Sequence, residues 1–168
     1  MKETPAYILR NCTIWADRDS KVGQASEITI PEMKVLIEDF RNAGMPKPRG
    51  VNLGYEKPIL GFKFTAFDPA TIRLFGLYPG VEKEFMATGA FVDEDTTTHS
   101  GVLYARGKLV SVTPGTWKPG EKNEPEYSVD VNSFKLEMDG QPLVEMTDFD
   151  VLVGGVSQYA SIRAAMLL

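Results

Sequence analysis

The sequence predicts a mainly β fold, an antiparallel β-sandwich or barrel-like unit with one short flanking helix and long extended loops. Three observations carry that prediction. Residues 84–92, 101–112 and 126–138 form three long β-type runs. The last runs into Asp139-Gly140 and a further run at Leu143–Met146, which is the strongest short-range hairpin signal a sequence offers. One segment carries both a start and a stop signal for a helix.

Taken in order, Asn11–Ala16 (NCTIWA) is a short β-rich run, and Met33–Phe40 (MKVLIEDF) fits either a strand or one amphipathic turn. Residues 41–57, RNAGMPKPRGVNLGYEK, hold three Gly and two Pro and predict a long loop. Loops of that length in a compact domain are usually functional or disordered. Ile59–Phe67 alternates, with Phe62, Phe64 and Ala66 on one face and Lys63, Thr65 and Phe67 on the other. The helix begins with Asp68 as its cap and Pro69 in its first position. Ile72, Leu74 and Phe75 give it an apolar stripe, and Gly76 stops it after about two turns. Pro79-Gly80 then turns the chain into the long runs.

A two-residue turn at Asp139-Gly140 sets Met138 opposite Gln141, Glu137 opposite Pro142 and Leu136 opposite Leu143. Pro142 has no N–H and blocks a third strand, so that side is expected to be a sheet edge, with the hairpin in an outer layer. Val156–Leu168 is an amphipathic tail with the spacing of a short helix.

Length and composition bound the function. The 168 residues read as one domain, 1–168, long enough to bury roughly 70% of the unfolded surface. No apolar run approaches the ~20 residues of a membrane span, and MKETPAYILRN lacks the pattern of a secretory signal. Cys12 stands alone, which fits a reducing compartment. The net charge of −5 argues against general binding to nucleic-acid phosphates. Residues 1–60 carry 9 basic and 8 acidic side chains, whereas residues 61–168 carry 9 and 15, so an acidic surface is expected in the later part.

No pattern of catalysis emerges. His99 lies in DEDTTTHSG with Ser100 and Asp95 nearby, but neighbours in one turn rarely take up triad geometry, and a solvated loop histidine is expected. Asp93, Glu94 and Asp95 do not open a calcium loop, because the sixth position is not Gly and Tyr104 stands where the bidentate Glu belongs. In Gly115–Lys122, GTWKPGEK, Glu121 replaces the lysine of a phosphate loop. Strand carboxylates leave glycoside cleavage open, without singling out a pair. No cofactor or metal is expected.

The order of the later motifs is informative. Arg106-Gly107 is followed by Pro114-Gly115, Trp117-Lys118, Gly120-Glu121, Phe134-Lys135-Leu136, Asp139-Gly140 and Glu145. Upstream stand Phe40–Met45 (FRNAGM) and Leu53-Gly54, and near the end Gly155-Val156 and Arg163. In content and order these motifs resemble the major tail tube proteins of contractile phage tails and R-type pyocins, over nearly the whole chain. The chain departs from that pattern at Gly154-Gly155, where Asn-Gly is usual, and at Met166-Leu167-Leu168, where Leu-Gly-Leu is common.

The resemblance implies a structural subunit and not an enzyme. Hexameric rings would stack into the inner tube of a contractile tail, with strands of all subunits joined into one β-barrel channel. Implied partners are copies of itself, the tail sheath, tape measure, baseplate and tail-terminator proteins, and DNA in transit. The implied location is the virion tail tube, assembled in the bacterial host cytoplasm. The loop about 41–57 and the arm about 156–168 are expected to reach neighbouring subunits and rings. Candidate contacts are Phe40, Arg41, Gly44, Met45, Leu53, Gly54, Trp117 and Arg163. Glu84, Asp93, Glu126 and Asp130 are candidate lumen-facing acids, suited to a channel that must not grip a polyanion. The competing readings are a type VI secretion-like tube and a monomeric carbohydrate-binding module stacking sugar on Trp117 or Trp15.

Overall fold

The computed structural model describes residues 6–76 and 80–168, so Pro79 of the expected turn and the first five residues lie outside it. The chain forms β1 (Ile8–Ala16), β2 (Asp19–Ser20), β3 (Ala25–Thr29), β4 (Val35–Phe40), β5 (Arg49–Tyr55), β6 (Ile59–Phe64) and α1 (Pro69–Ile72). There follow β7 (Lys83–Val92), β8 (Thr98–Thr113), β9 (Glu126–Met138), β10 (Gln141–Met146), β11 (Val151–Val153), β12 (Val156–Ser157) and α2 (Ala160–Ala165). The mainly β, antiparallel reading holds.

The main sheet runs β12-β11-β10-β9-β8-β7-β1-β2. Strand β9 organises it. One edge of β9 pairs with β8 from Glu126 to Met138; the other pairs first with β6, over Glu126–Asp130, and then with β10, over Phe134–Met138. The change of partner coincides with a bulge, where Arg106 faces Ser133 but Gly107 faces Val131. A Cβ on Gly107 would stand 2.9 Å from the Asp130 carbonyl carbon and the Val131 Cα, and nearer still to the Asp130 carbonyl oxygen. The Arg-Gly motif thus has a local reason: β9 passes too close for any side chain at 107.

Strand β6 carries β3 on its far edge, and β3 returns against β1. β1, β7, β8, β9, β6 and β3 therefore roll around one core. Alternation supplies that core: Ile14, Phe62, Phe64, Phe85, Leu103, Tyr127, Val129 and Val131 are buried. Phe62 stacks on Tyr127 with centroids 5.0 Å apart and packs beside Phe64 at 5.2 Å. Each such side chain stabilises the fold by roughly 1.5–3 kcal/mol relative to an exposed one.

The helix forms where expected but is a single turn, Pro69–Ile72. Asp68 caps it, accepting from the Ala70 N–H at 3.1 Å and the Thr71 hydroxyl at 2.6 Å. Its carboxylate also meets the Lys21 ammonium at 2.7 Å, and the two residues are only 8% and 6% exposed. Burial by itself raises the Asp68 pKa, but the bonds from Lys21 and Thr71 outweigh it and hold the group below its ordinary value.

Several expectations need correction. Within Met33–Phe40 the strand alternative holds, as β4 (Val35–Phe40), whereas residues 41–57 are not one loop, because Arg49–Tyr55 is strand β5. At Asp139-Gly140 both φ angles are positive, +50° and +75°, as the tightest hairpin turns require. Met138 faces Gln141 and Glu137 faces Pro142, but the register then slips and Leu136 faces Val144, not Leu143. Pro142 does not make β10 an edge strand. β11 pairs with β10 over Val144–Met146 and stops short of Pro142, so the edge is confined to the turn end. Nor is the hairpin a separate outer layer, for it continues the sheet of β7 to β9. The tail does contain a helix, α2.

Candidate assembly surfaces

Strands β4 and β5 pair only with each other. An isolated two-stranded ribbon is marginal in water. This one nonetheless exposes Leu36, Ile37, Phe40, Val51 and Leu53. Its tip is closed by Arg41, whose Nε donates to the Met45 carbonyl at 2.8 Å, with Gly44 at φ +87°. At its root Lys34 meets Glu56 at 2.8 Å. The register slips where Leu36 faces Gly54 and Ile37 faces Asn52, leaving Leu53 unpaired between them. Phe40, Arg41, Gly44, Met45, Leu53 and Gly54 thus lie on one projecting element.

The other candidate contacts are separate from it. Trp117, in the link between β8 and β9, is 74% exposed and meets the Phe67 ring edge-on, with centroids 5.7 Å apart. Arg163 of α2 reaches the Asp150 carboxylate of its own chain at 3.3 Å. Asp150 also accepts from the Ser157 hydroxyl and the Val151 N–H, both at 2.8 Å, and these partners hold its pKa below the ordinary value.

The four candidate acids are all partnered. Glu84, on β7, lies 3.8 Å from Arg18; Glu126, on β9, lies 3.0 Å from Lys63; Asp130 is bound by Lys57. Asp93, at the β7–β8 turn, accepts from the Thr97 N–H at 2.9 Å and lies 3.2 Å from His99 Nε2. Among the described residues, acids outside these ion pairs stand both in loops, as Glu94, Asp95 and Glu124 do, and on strands, as Glu38, Asp39 and Glu145 do.

Register creates two features that sequence reading missed. Trp15, Met86, Tyr104, Lys135 and Glu145 stand directly opposite one another across five strands, forming one row on the outward sheet face. This row lines an open groove of about 590 Å³ with Arg18, Glu84 and Arg106 at its rim. The second feature centres on His99, which is not a solvated loop residue. Its Nδ1 lies 2.6 Å from Asp139 and its Nε2 3.2 Å from Asp93, and the Tyr7 ring meets it edge-on at 4.7 Å. His99 therefore ties two hairpin tips together. Asp139 raises its pKa most, followed by Asp93.

The polar groups here are bonded to one another. The carboxylates on His99 are Asp93 and Asp139, and Ser100 turns its backbone N–H, at 2.8 Å, to Asp139. In the Gly115–Lys122 loop, Lys118 pairs with Glu121 at 3.4 Å. Among the described residues no group of His, Cys, Asp or Glu is placed to hold a metal ion.

A rolled β core that carries a bare apolar ribbon and a wholly exposed terminal helix has the surfaces of a structural subunit. Residues 6–166 match the family model of the phage tail tube protein FII, and the chain belongs to that family. It is 28% identical over 156 residues to the tail tube protein of Escherichia phage P2, covering 89% of this chain and 91% of that one. It is 24% identical over 138 residues to the major tail tube protein of Serratia phage KSP20, covering 82% and 81%. The fold is shared with chains of solved contractile injection systems. One, from the PVC sheath–tube complex in the extended state, has a TM-score of 0.54 at 8% identity, over 76% of this chain and 86% of that one. Another, from the PVC sheath/tube terminator, has a TM-score of 0.56 at 9% identity, over 82% and 99%. A third, from the six-fold symmetrised baseplate of the anti-feeding prophage, has a TM-score of 0.51 at 9% identity, over 76% and 89%.

Proposed function

We propose that residues 1–168 act as one tube domain whose copies form hexameric rings, and that the rings stack into the inner tube of a contractile tail. Strands of neighbouring subunits join into a continuous channel, through which DNA passes in a phage. The observation that carries this reading is the β4–β5 ribbon, which exposes five large apolar side chains and pairs with no strand of the main sheet. Ribbon and C-terminal arm are the elements that reach neighbouring subunits and rings. Phe40, Leu53 and Trp117 supply apolar contacts, Arg41, Gly44, Met45 and Gly54 shape the ribbon, and Arg163 positions the arm. The family and the solved neighbours support sheath, terminator and baseplate proteins as partners. Tape measure protein inside the tube and assembly in the host cytoplasm complete the proposal.

Glu84, Asp93, Glu126 and Asp130 are the proposed lumen acids. Glu84 has the weakest partner of the four, Arg18 at 3.8 Å, and so carries the least neutralised charge. A sugar-binding role has less support: Trp117 stands 74% exposed in a loop, and Trp15 shares its groove with charged side chains of both signs.

Negative-stain electron microscopy of purified protein tests the proposal. Rings or hollow tubes are expected, and a strict monomer over a wide range of concentration and salt overturns it. Changing Glu84 and Glu126, the two acids whose side chains are largely exposed, to Lys is expected to leave assembly intact and impede DNA passage; unimpaired ejection refutes the electrostatic role.

A further inference from the structure

At one end of the core, Cys12, Gly89, Gly101 and Met138 stand directly opposite one another across β1, β7, β8 and β9. Two facing glycines inside long strands weaken both, and glycine at such a place marks a close approach or a space kept open. Here they let the Phe91 ring lie across them; a Cβ on Gly101 would stand 2.6 Å from it. The result is a largely apolar cleft of about 220 Å³, rimmed by Leu9, Ile30 and Leu143, all exposed. Small-molecule pockets occupy roughly 300–1,000 Å³ and hold several convergent polar groups. This cleft is smaller and nearly without them, so it suits one or two apolar side chains of a protein.

The same chain carries an apolar group that stands uncovered among the described residues. No residue of α2 is buried, and Met166, Leu167 and Leu168 beyond it are exposed. Leu167 is 94% exposed and takes φ +61°, the left-handed position at a helix end that glycine fills most readily. A leucine there bears backbone strain while its side chain stays almost wholly exposed. The arm is rooted through Arg163 on Asp150 and Tyr159 beside Tyr55, and none of its residues lines the cleft of its own molecule.

We propose that the Leu167–Leu168 pair of one copy seats in the Leu9–Ile30–Leu143 cleft of the next. Two different patches on one chain make a head-to-tail contact, which closes into a ring or extends into a filament. The inference rests on the tube reading and names one of its joints. The ribbon is the less suitable occupant, because its apolar side chains are spread along two strands.

The test uses the full chain with Ile30→Glu, Leu167→Lys, and both together, at positions exposed enough to accept a charge. Circular dichroism checks the fold, and sedimentation with electron microscopy reads assembly. Each single variant is expected to raise the concentration needed for assembly by about tenfold or more, as loss of a buried leucine contact implies. The double variant, with opposite charges facing across the joint, is expected to recover most of that loss. Single variants that assemble like the parent, or a double no better than the weaker single, overturn the proposal. So does rescue of Ile30→Glu by Lys at Phe40 or Leu53, which assigns the cleft to the ribbon. A parent chain that never assembles fails the tube reading itself, and is recognised without any variant.

Discussion

Replacing Asp68 by Ala removes one half of a buried ion pair and, with it, the cap of α1. Lys21 and Asp68 meet at 2.7 Å with 6% and 8% exposure, so Asp68→Ala strands an ammonium group away from water. Breaking such a pair from one side costs about 3–5 kcal/mol, because the remaining charge keeps its desolvation penalty and loses its compensation. In a chain of this size each kcal/mol moves Tm by about 2–4 °C, so a fall of roughly 6–20 °C is expected. Removing both charges while keeping an acceptor, as in Lys21→Met with Asp68→Asn, is expected to cost far less than Asp68→Ala, since paired removal is often nearly neutral. The pH dependence has a definite sign. The folded Asp68 pKa is depressed, so its contribution is present above the unfolded value of about 3.9 and is lost as pH falls through the folded value. Thermal unfolding followed by circular dichroism, at concentrations below assembly, measures all three chains. A loss under about 1 kcal/mol for Asp68→Ala at neutral pH refutes the reasoning, since the pair would then be solvated.

Three further outcomes follow from other sites. Gly107→Ala is expected to cost at least the roughly 1–3 kcal/mol of core overpacking and to disturb the β8–β9 ladder, read as a lower urea midpoint and loss of amide protection there. The Tyr127 hydroxyl is buried without a hydrogen-bond partner, and burial, then the Asp68 charge, push its pKa up to about 12. Tyr127→Phe is therefore expected to be neutral or stabilising in thermal unfolding; a clear loss would mean a bound water had been displaced. The His99 cluster works over a window set at both ends. The folded His99 pKa lies above 6.5, so its share is complete below the unfolded value and is lost as pH rises through the folded one. Asp139, held down first by the Ser100 N–H, and Asp93, held down first by His99, contribute above about pH 4 and lose their share in acid. As the chain has one histidine, its proton resonance in NMR reports the midpoint directly, and a value at or below 6.5 contradicts the clamp.

Local pattern carried much of the fold. Strong alternation located β6 to β9, Asp-Gly fixed the turn between β9 and β10, and Asp68-Pro69 fixed the start of α1. What depends on distant partners was not legible. Strand β3 pairs across to β6, and β5 contains two glycines in RGVNLGY, so neither has the local signal of a strand. The exposed ribbon offers no alternation because no core lies beneath it. At the slip, the Leu143 carbonyl accepts from the N–H of Gly154, just past β11, at 2.8 Å, a partner eleven residues along the chain. His99 reads as a loop residue until the β8–β9 register brings the Asp139 turn beside it, forty residues along the chain. The candidate contacts at Phe40–Gly54 were visible as motif residues, whereas their shared placement on one ribbon was not.

The double pairing of β9 also has a mechanical meaning. A strand held on one edge can be peeled away one hydrogen bond at a time. β9 is held on both, by β8 throughout and by β6 and β10 in turn, and the bulge at Val131–Ser133 interlocks it with Gly107. Tension along β9 therefore loads its bonds in shear, so that they share the force and yield together instead of unzipping. The molecule resembles a beam with a spliced central member, and it should resist pulling along that member far better than across it.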